Sequence, residues 1–167
     1  MKIPRIKIFC GGISPERDVS IESGKNVFEA LSANFDAELV RLDKNALPEG
    51  LNPEDCVVYP AMHGDYGEDG TLQAQLDSLG MAYAGCGSLS SRICMLKPAS
   101  KSLMAFAGLP VAPSIDFKAQ NKPSAENAME LFKGGFILKP ADKGSSVGLS
   151  VAKDLESAKN ALSAVSE

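Results

Sequence analysis

The sequence predicts an α/β protein that opens with a doubly wound parallel sheet and continues into the beginning of an α+β domain. Apolar, strand-like runs alternate with helix-like segments over the first 97 residues. Cys56-Val57-Val58-Tyr59 is apolar throughout, which is typical of a parallel strand buried on both faces. From residue 98 the alternation gives way to one hairpin among helices. We therefore expect two domains, residues 1–97 and an incomplete one at 98–167.

Each element of the first region follows from its local pattern. An apolar run at residues 6–10 predicts the first strand, which Gly11-Gly12 ends. Further strands are expected at 38–43, 56–59 and 81–84, and helices at 19–32 and 71–79. The second helix carries leucines at i, i+4 and i+7, and Gly80 is placed to end it. Glu68 and Asp69 are expected to complement the dipole of that helix.

The second region predicts helices around one hairpin. Pro98 suits the first turn of a helix that runs to Ala107, and Gly108 ends it. Asp154 is expected to cap the last helix. The other elements are a helix from 124 to about 134, strands at 136–139 and 147–151, and an apolar side of the last helix made by Leu155, Ala158, Leu162 and Val165.

Composition excludes several classes of protein. The chain has 17 Lys and Arg against 21 Asp and Glu, a net charge of −4, and no basic cluster, which argues against nucleic acid as the main partner. Its apolar runs are shorter than the roughly 18 residues of a membrane helix, and charges interleave the start, unlike a signal peptide. We expect a cytoplasmic protein without a nucleic-acid or membrane partner.

Cysteine spacing predicts free thiols. Cys10, Cys56, Cys86 and Cys94 form no C-x-x-C pair, and His63 is the one histidine, so a zinc site is not expected. Cys10 and Cys56 lie in apolar strands and are expected in the core.

Two loops after predicted strands could bind a ligand. Residues 11–20 follow the first strand and lack the G-x-G-x-x-G pattern of a dinucleotide cradle. Glu16 in that loop offers a carboxylate for an ammonium group, or belongs to a solvated turn. His63 follows the third strand, and three glycines in residues 64–70 permit close backbone approach. A ligand-facing and a structural histidine are both compatible with this pattern.

A third loop could bind phosphate. Residues 139–148 lack the order and context of a Walker A motif. Gly144, Ser145 and Ser146 nevertheless offer N–H and hydroxyl donors, and Lys139 adds positive charge. The alternative is a flexible hairpin. Lys97, at the domain junction, is a surface residue unless it lies near this loop.

Taken together, these segments resemble the D-alanine–D-alanine ligase family of ATP-grasp enzymes, over nearly the whole chain. The resemblance rests on Gly11-Gly12 with residues 16–20 and Ser23-Gly24, on the block from His63 to Thr71, on Lys139-Pro140 with residues 144–148, and on residues 108–111. Leu96 departs from the family's Met-Asp-Lys pattern, in which an acid precedes the lysine.

The resemblance implies a fold, a reaction and roles. The fold would be a Rossmann-like pre-ATP-grasp domain followed by the first part of an ATP-grasp domain. ATP would phosphorylate the carboxylate of one D-alanine, and the amine of a second would attack the acylphosphate, giving a peptidoglycan precursor. Glu16 would bind the first ammonium and His63 would lie near the reacting carboxylate. The phosphates would be bound by Lys97, Lys139, Gly144, Ser145 and Ser146. Ser145 would also donate a hydrogen bond in the site and help to link its loop to Glu16.

The resemblance also implies a longer protein. Magnesium would be a cofactor with ligands beyond residue 167, so this chain would be an inactive N-terminal fragment with no metal ligands of its own. A homodimer is implied as well. Two alternatives remain: a ligase that joins D-alanine to D-lactate or D-serine, and a truncated, non-catalytic module that binds a small ligand or a partner.

Overall fold

The computed structural model describes residues 4–165, which divide into two compact units between Met95 and Leu96. This division falls two residues before the expected one. The backbone N–H of Lys97 donates to the carbonyl of Ala141 at 2.9 Å, which attaches Lys97 to the second unit. Within residues 4–165, no helix is long and apolar enough to cross a membrane.

The first unit contains a parallel three-stranded sheet in the order β2-β1-β3. Its elements are β1 (Arg5–Gly11), α1 (Arg17–Ser32), β2 (Ala37–Leu42), β3 (Cys56–Pro60), α2 (Thr71–Ser78) and α3 (Ser88–Met95). Ile6 of β1 stands opposite Ala37 on one side and Val57 on the other. The α/β class with a parallel sheet is confirmed.

Successive side chains of β1 enter different cores, because strand side chains alternate between the two faces of a sheet. Ile8 and Cys10 are fully buried in a cluster that includes Phe28 of α1. Phe9 is fully buried in another cluster, with Leu72 and Leu76 of α2. Each such apolar side chain contributes roughly 1.5–3 kcal/mol by leaving water. Both faces of the sheet are therefore covered, as a doubly wound fold requires.

Two features of the first unit differ from expectation. Residues 81–84 form one parallel bridge, between Val58 and Tyr83, instead of a strand. Gly80 and Gly85 flank the segment at φ +66° and +106°, and positive φ angles do not continue a strand. Helix α3 was missed because three of its eight residues are serines, which are weak helix formers and compete for backbone hydrogen bonds.

The second unit contains helices and one antiparallel hairpin. Its elements are α4 (Lys97–Phe106), a 3-10 turn (Ala119–Asn121), α5 (Ala125–Leu131), β4 (Phe136–Leu138), β5 (Ser150–Ala152) and α6 (Leu155–Ser163). Ala128, Ala158 and Leu162 are buried at its core. Asp154 caps α6 as predicted: its carboxylate accepts the N–H of Ser157 at 2.8 Å, and its hydrogen bonds with Ser157 lower its pKa.

Several details of the second unit differ from expectation. Strand β5 begins at Ser150 instead of residue 147, because the residues before it adopt left-handed backbone angles that no strand ladder accepts. Helix α5 ends at Leu131, three residues short of the expected end. Leu155, expected on the apolar side of α6, is exposed, and Ala161 is buried instead.

Candidate functional site

Two loops of the first unit follow neighbouring strands at the same edge of the sheet. We call residues 12–16, after β1, the glycine loop, and residues 63–70, after β3, the histidine loop. Strand β1 lies in the middle of the sheet, with β2 on one side and β3 on the other. The chain therefore reverses the direction in which it adds strands after β2. Ligands of open parallel sheets bind at the carboxyl ends of strands where the order reverses in this way.

Serine hydroxyls join the two loops. Ser20 of α1 is fully buried; its Oγ donates to the carbonyl of Ala61 at 2.7 Å and accepts the N–H of Gly11 at 2.8 Å. Ser14 Oγ donates to the carbonyl of His63 at 2.9 Å. Ser20, which the sequence marked only as part of a motif, therefore ties the ends of β1 and β3 together.

Glu16 lies directly beside the histidine loop. It is half-buried at the N-terminus of α1, and its N–H donates to Ser14 Oγ at 3.2 Å. A Cβ atom built on Gly64 would lie only 2.6 Å from Glu16 Oε2. The structure thus brings together Glu16 and His63, two candidates that are far apart in the sequence.

The His63 ring has a polar partner at each nitrogen. Nε2 lies 3.0 Å from Ser23 Oγ, and Nδ1 lies 3.5 Å from Glu68 Oε1. The other carboxylate oxygen of Glu68 accepts the N–H of Gly64 at 2.9 Å. The Glu68 carboxylate therefore binds the histidine loop, and its contribution to the dipole of α2 stays a prediction. Ser23 was not among the predicted site residues. It lies three residues after Ser20 on α1, and this spacing places both serines on the same face of the helix.

Buried groups fix the shape of the histidine loop. Tyr66 is 2% exposed at φ +73°, and its hydroxyl donates to Gln75 at 2.8 Å. Burial raises the pKa of Tyr66 to about 12. Asp69 accepts the N–H groups of Thr71 and Tyr66, which lowers its pKa despite partial burial, and so fulfils its expected role at the start of α2. A bulky residue at positive φ is a strained feature that tertiary structure must maintain.

An open cavity of about 500 Å³ adjoins His63 within the first unit. Its polar lining includes Ser23, His63, Glu68, Gln73, Ser90 and Ser91. Gln73 is buried and donates to the carbonyl of Gly67 at 2.8 Å. His63 therefore belongs both to the loop that contacts Glu16 and to the lining of this cavity.

In the second unit, Lys97 lies against residues 139–148, which we call the serine loop. Lys97 Nζ donates to the carbonyl of Lys143, in addition to the backbone bond to Ala141. Burial lowers the pKa of Lys97, as does the positive charge of Lys139, whereas Asp142 opposes the shift. Lys97 therefore lies beside the loop that could bind phosphate, which was the condition for giving it a functional role.

The serine loop holds two non-glycine residues in left-handed conformations. Ser145 and Ser146 have φ of +49° and +61°, and Gly148 has φ +68° beside the ring of Pro140. Each left-handed serine costs roughly 1–2 kcal/mol, so the surrounding structure must maintain the turn. Successive N–H groups in such turns form concave anion-binding surfaces, and Lys97 and Lys139 add positive charge. These residues fit a phosphate group.

Residues 4–165 contain no group of three or more His, Cys, Asp or Glu side chains arranged to hold a metal ion.

Known proteins were compared with the chain by sequence and by structure. No protein-family model matches the chain. A D-alanine–D-alanine ligase from Clostridium botulinum is 35% identical over 162 residues, which is 95% of this chain and 52% of that protein. A D-alanine–D-alanine ligase from Geobacter sulfurreducens is 37% identical over 165 residues, which is 97% of this chain and 51% of that protein. The chain is similar to D-alanine–D-alanine ligases over nearly its whole length. It spans about half the length of these relatives.

Solved ligase structures share the fold. D-alanyl-alanine synthetase A from Vibrio cholerae matches 98% of this chain and 56% of its own, with a TM-score of 0.82 and 26% identity. D-alanine–D-alanine ligase from Bacillus anthracis, solved in complex with ATP, matches 98% of this chain and 53% of its own. The TM-score is 0.79 and the sequence identity is 30%. The family that the sequence motifs indicated is therefore confirmed as the one this chain resembles.

Proposed function

We propose that the chain is the N-terminal part of a ligase that joins two D-alanines with ATP, through an acylphosphate, to supply a peptidoglycan precursor. The observation that carries this proposal is the position of the Glu16 carboxylate against Gly64, next to His63, at the carboxyl ends of β1 and β3. The names of the relatives that match the chain support it.

The first unit would bind the first D-alanine. The Glu16 carboxylate pairs with the ammonium group, because a charge-assisted bond of this kind fixes which end of a small zwitterion faces inward. The substrate carboxylate then lies near His63. The Glu16 carboxylate thereby distinguishes the ammonium end of D-alanine from its carboxylate end.

The second unit would bind ATP through its phosphates. Lys97 and Lys139 neutralise phosphate charge, and the N–H groups and hydroxyls of Gly144, Ser145 and Ser146 donate to phosphate oxygens. Donors already placed in the turn need no reorganisation as charge shifts during phosphoryl transfer. Magnesium, when bound, supplies further charge neutralisation. We assign its ligands to none of the described residues.

Further parts of the proposal concern the whole protein. We propose a cytoplasmic enzyme that acts as a homodimer, which light scattering on the purified chain would test. The expectation that these 167 residues alone do not turn over ATP with D-alanine stays a prediction, and a phosphate-release assay checks it.

The decisive experiment titrates the chain with D-alanine, followed by NMR, with L-alanine as the stereochemical control. Glu16→Gln removes one charge at nearly constant shape and should weaken D-alanine binding about ten- to a hundredfold, since a charged hydrogen bond contributes about 1.5–3 kcal/mol. ATP affinity should be unchanged. Glu29→Gln, on the exposed side of α1, is the matched control. Loss of ATP affinity with normal D-alanine binding, or no D-alanine binding by the wild-type chain, would contradict the proposal.

A further inference from the structure

We propose that Ser23 and Glu68 are positioning residues that fix the neutral His63 imidazole in one tautomer. The proton is on Nδ1, facing Glu68, and Nε2 accepts a hydrogen bond from the Ser23 hydroxyl.

Glu68 sets the side of the ring that carries the proton. Its Oε2 is anchored by the N–H of Gly64 at 2.9 Å, which leaves Oε1 facing Nδ1 of His63 at 3.5 Å. At this distance, a bare Nδ1 holds its lone pair near a carboxylate oxygen, whereas an Nδ1–H group replaces that repulsion with attraction. The Glu68 side chain is 44% exposed, so water weakens the preference without reversing it.

Ser23 sets the other side of the ring. Its Oγ lies 3.0 Å from Nε2, and with the proton on Nδ1 this nitrogen has only a lone pair to offer. The serine hydroxyl must then be the donor. A serine inside a helix commonly bonds to a carbonyl of the preceding turn. Ser23 instead joins α1 to the histidine loop.

The consequence for substrate rests on the proposed function. With both ring nitrogens engaged by the protein, this tautomer of His63 has no free N–H group to offer the reacting carboxylate. The lone pairs of Ser23 Oγ stay available toward the cavity, which Ser23 also lines.

The chain tests this directly because it contains a single histidine. Long-range ¹H–¹⁵N correlation spectra of the wild-type chain, in alkaline buffer, should show Nδ1 protonated and Nε2 as a hydrogen-bonded acceptor. Glu68→Gln should shift the tautomer ratio toward Nε2–H by about three- to tenfold, the effect of a charged partner that is half exposed. Ser23→Ala should move the Nε2 resonance to that of an unbonded nitrogen, and Ser23→Thr should restore it.

Two substitutions on the same helix serve as controls. Ser32→Ala and Glu22→Gln remove an exposed hydroxyl and an exposed charge of α1 and should leave the His63 spectrum unchanged. An Nε2–H tautomer in the wild-type chain, or Ser23 and Glu68 variants that match the controls, would overturn the inference. D-alanine titrations of the same samples separate the two proposals: absent binding by wild type counts against the proposed function alone, because the tautomer is read without ligand.

Discussion

The carboxylate of Glu16 lies so close to Gly64 that a single methyl group cannot fit between them: a Cβ atom there would come within 2.6 Å of Glu16 Oε2 and 3.2 Å of Ser14 Oγ. Position 64 therefore requires glycine for two reasons: its backbone φ is +72°, and a side chain there would collide with Glu16. A side chain at position 64 would therefore displace the Glu16 carboxylate.

Gly64→Ala should reduce D-alanine binding by displacing Glu16. Gly50, at φ +74° with open space around it, provides the matched control, because Gly50→Ala introduces the same backbone strain of about 1–2 kcal/mol without a collision. Urea denaturation should show Gly64→Ala as the less stable variant, and an NMR titration should show weaker D-alanine binding for it alone. Equal behaviour of the two variants would mean that Gly64 is needed only for its backbone angle.

Lys139→Ala should raise the pKa of Lys97. The positive charge of Lys139 is one cause of the lowered pKa of Lys97, so its removal favours the protonated form. NMR titration of reductively methylated lysines measures this directly. ATP affinity should also fall, by about three- to tenfold, because Lys139 is exposed and its charge is screened.

The control is Lys133→Ala, which removes an exposed lysine of the same unit and should change neither quantity. Unchanged ATP binding by the Lys139→Ala variant would show that Lys139 is a surface residue that does not contribute to ATP binding.

Stability should decline at alkaline pH through Tyr66. Burial, followed by the negative charge of Asp69, raises the pKa of Tyr66 to about 12, against about 10 for an exposed tyrosine. Below pH ~10 the folded and unfolded chains both keep the proton. Between pH ~10 and ~12 the unfolded chain ionises first, so the free energy of unfolding falls as pH rises.

Urea denaturation across this range should show a shallower decline for Tyr66→Phe than for wild type. Tyr59→Phe, at a more exposed position, should follow wild type. Parallel declines in all three proteins would show that Tyr66 is not the responsible group.

The cysteines should react in two classes. All four are free; Cys10 and Cys56 are buried, and Cys86 and Cys94 are exposed. Burial also raises the pKa of the Cys10 thiol, which lowers its thiolate fraction. A thiol reagent should titrate two cysteines in the folded chain and four after denaturation without reductant. Fewer than four after denaturation would indicate a disulfide and contradict the predicted compartment.

Local sequence was sufficient where the physical cause is local. The capping of α6 by Asp154 and the ends of α2 and α4 two residues before Gly80 and Gly108 follow from neighbouring residues, and the structure agrees. Helix α3 and the late start of β5 were missed because the first has weak propensity and the second depends on strained backbone angles at Ser145 and Ser146.

The sequence by itself determined the fold class, the strand-end position of Glu16 and His63, and the ligase family that the chain resembles, because periodicity, glycine placement and motif spacing are all one-dimensional. Tertiary structure decided what surrounds each group. Only folding brings Glu16 to Gly64, Ser23 and Glu68 to the two nitrogens of His63, and Lys97 to the serine loop. Hydrogen bonds and charge interactions act over a few ångströms, so residues distant in sequence acquire these roles only when packing closes the distance.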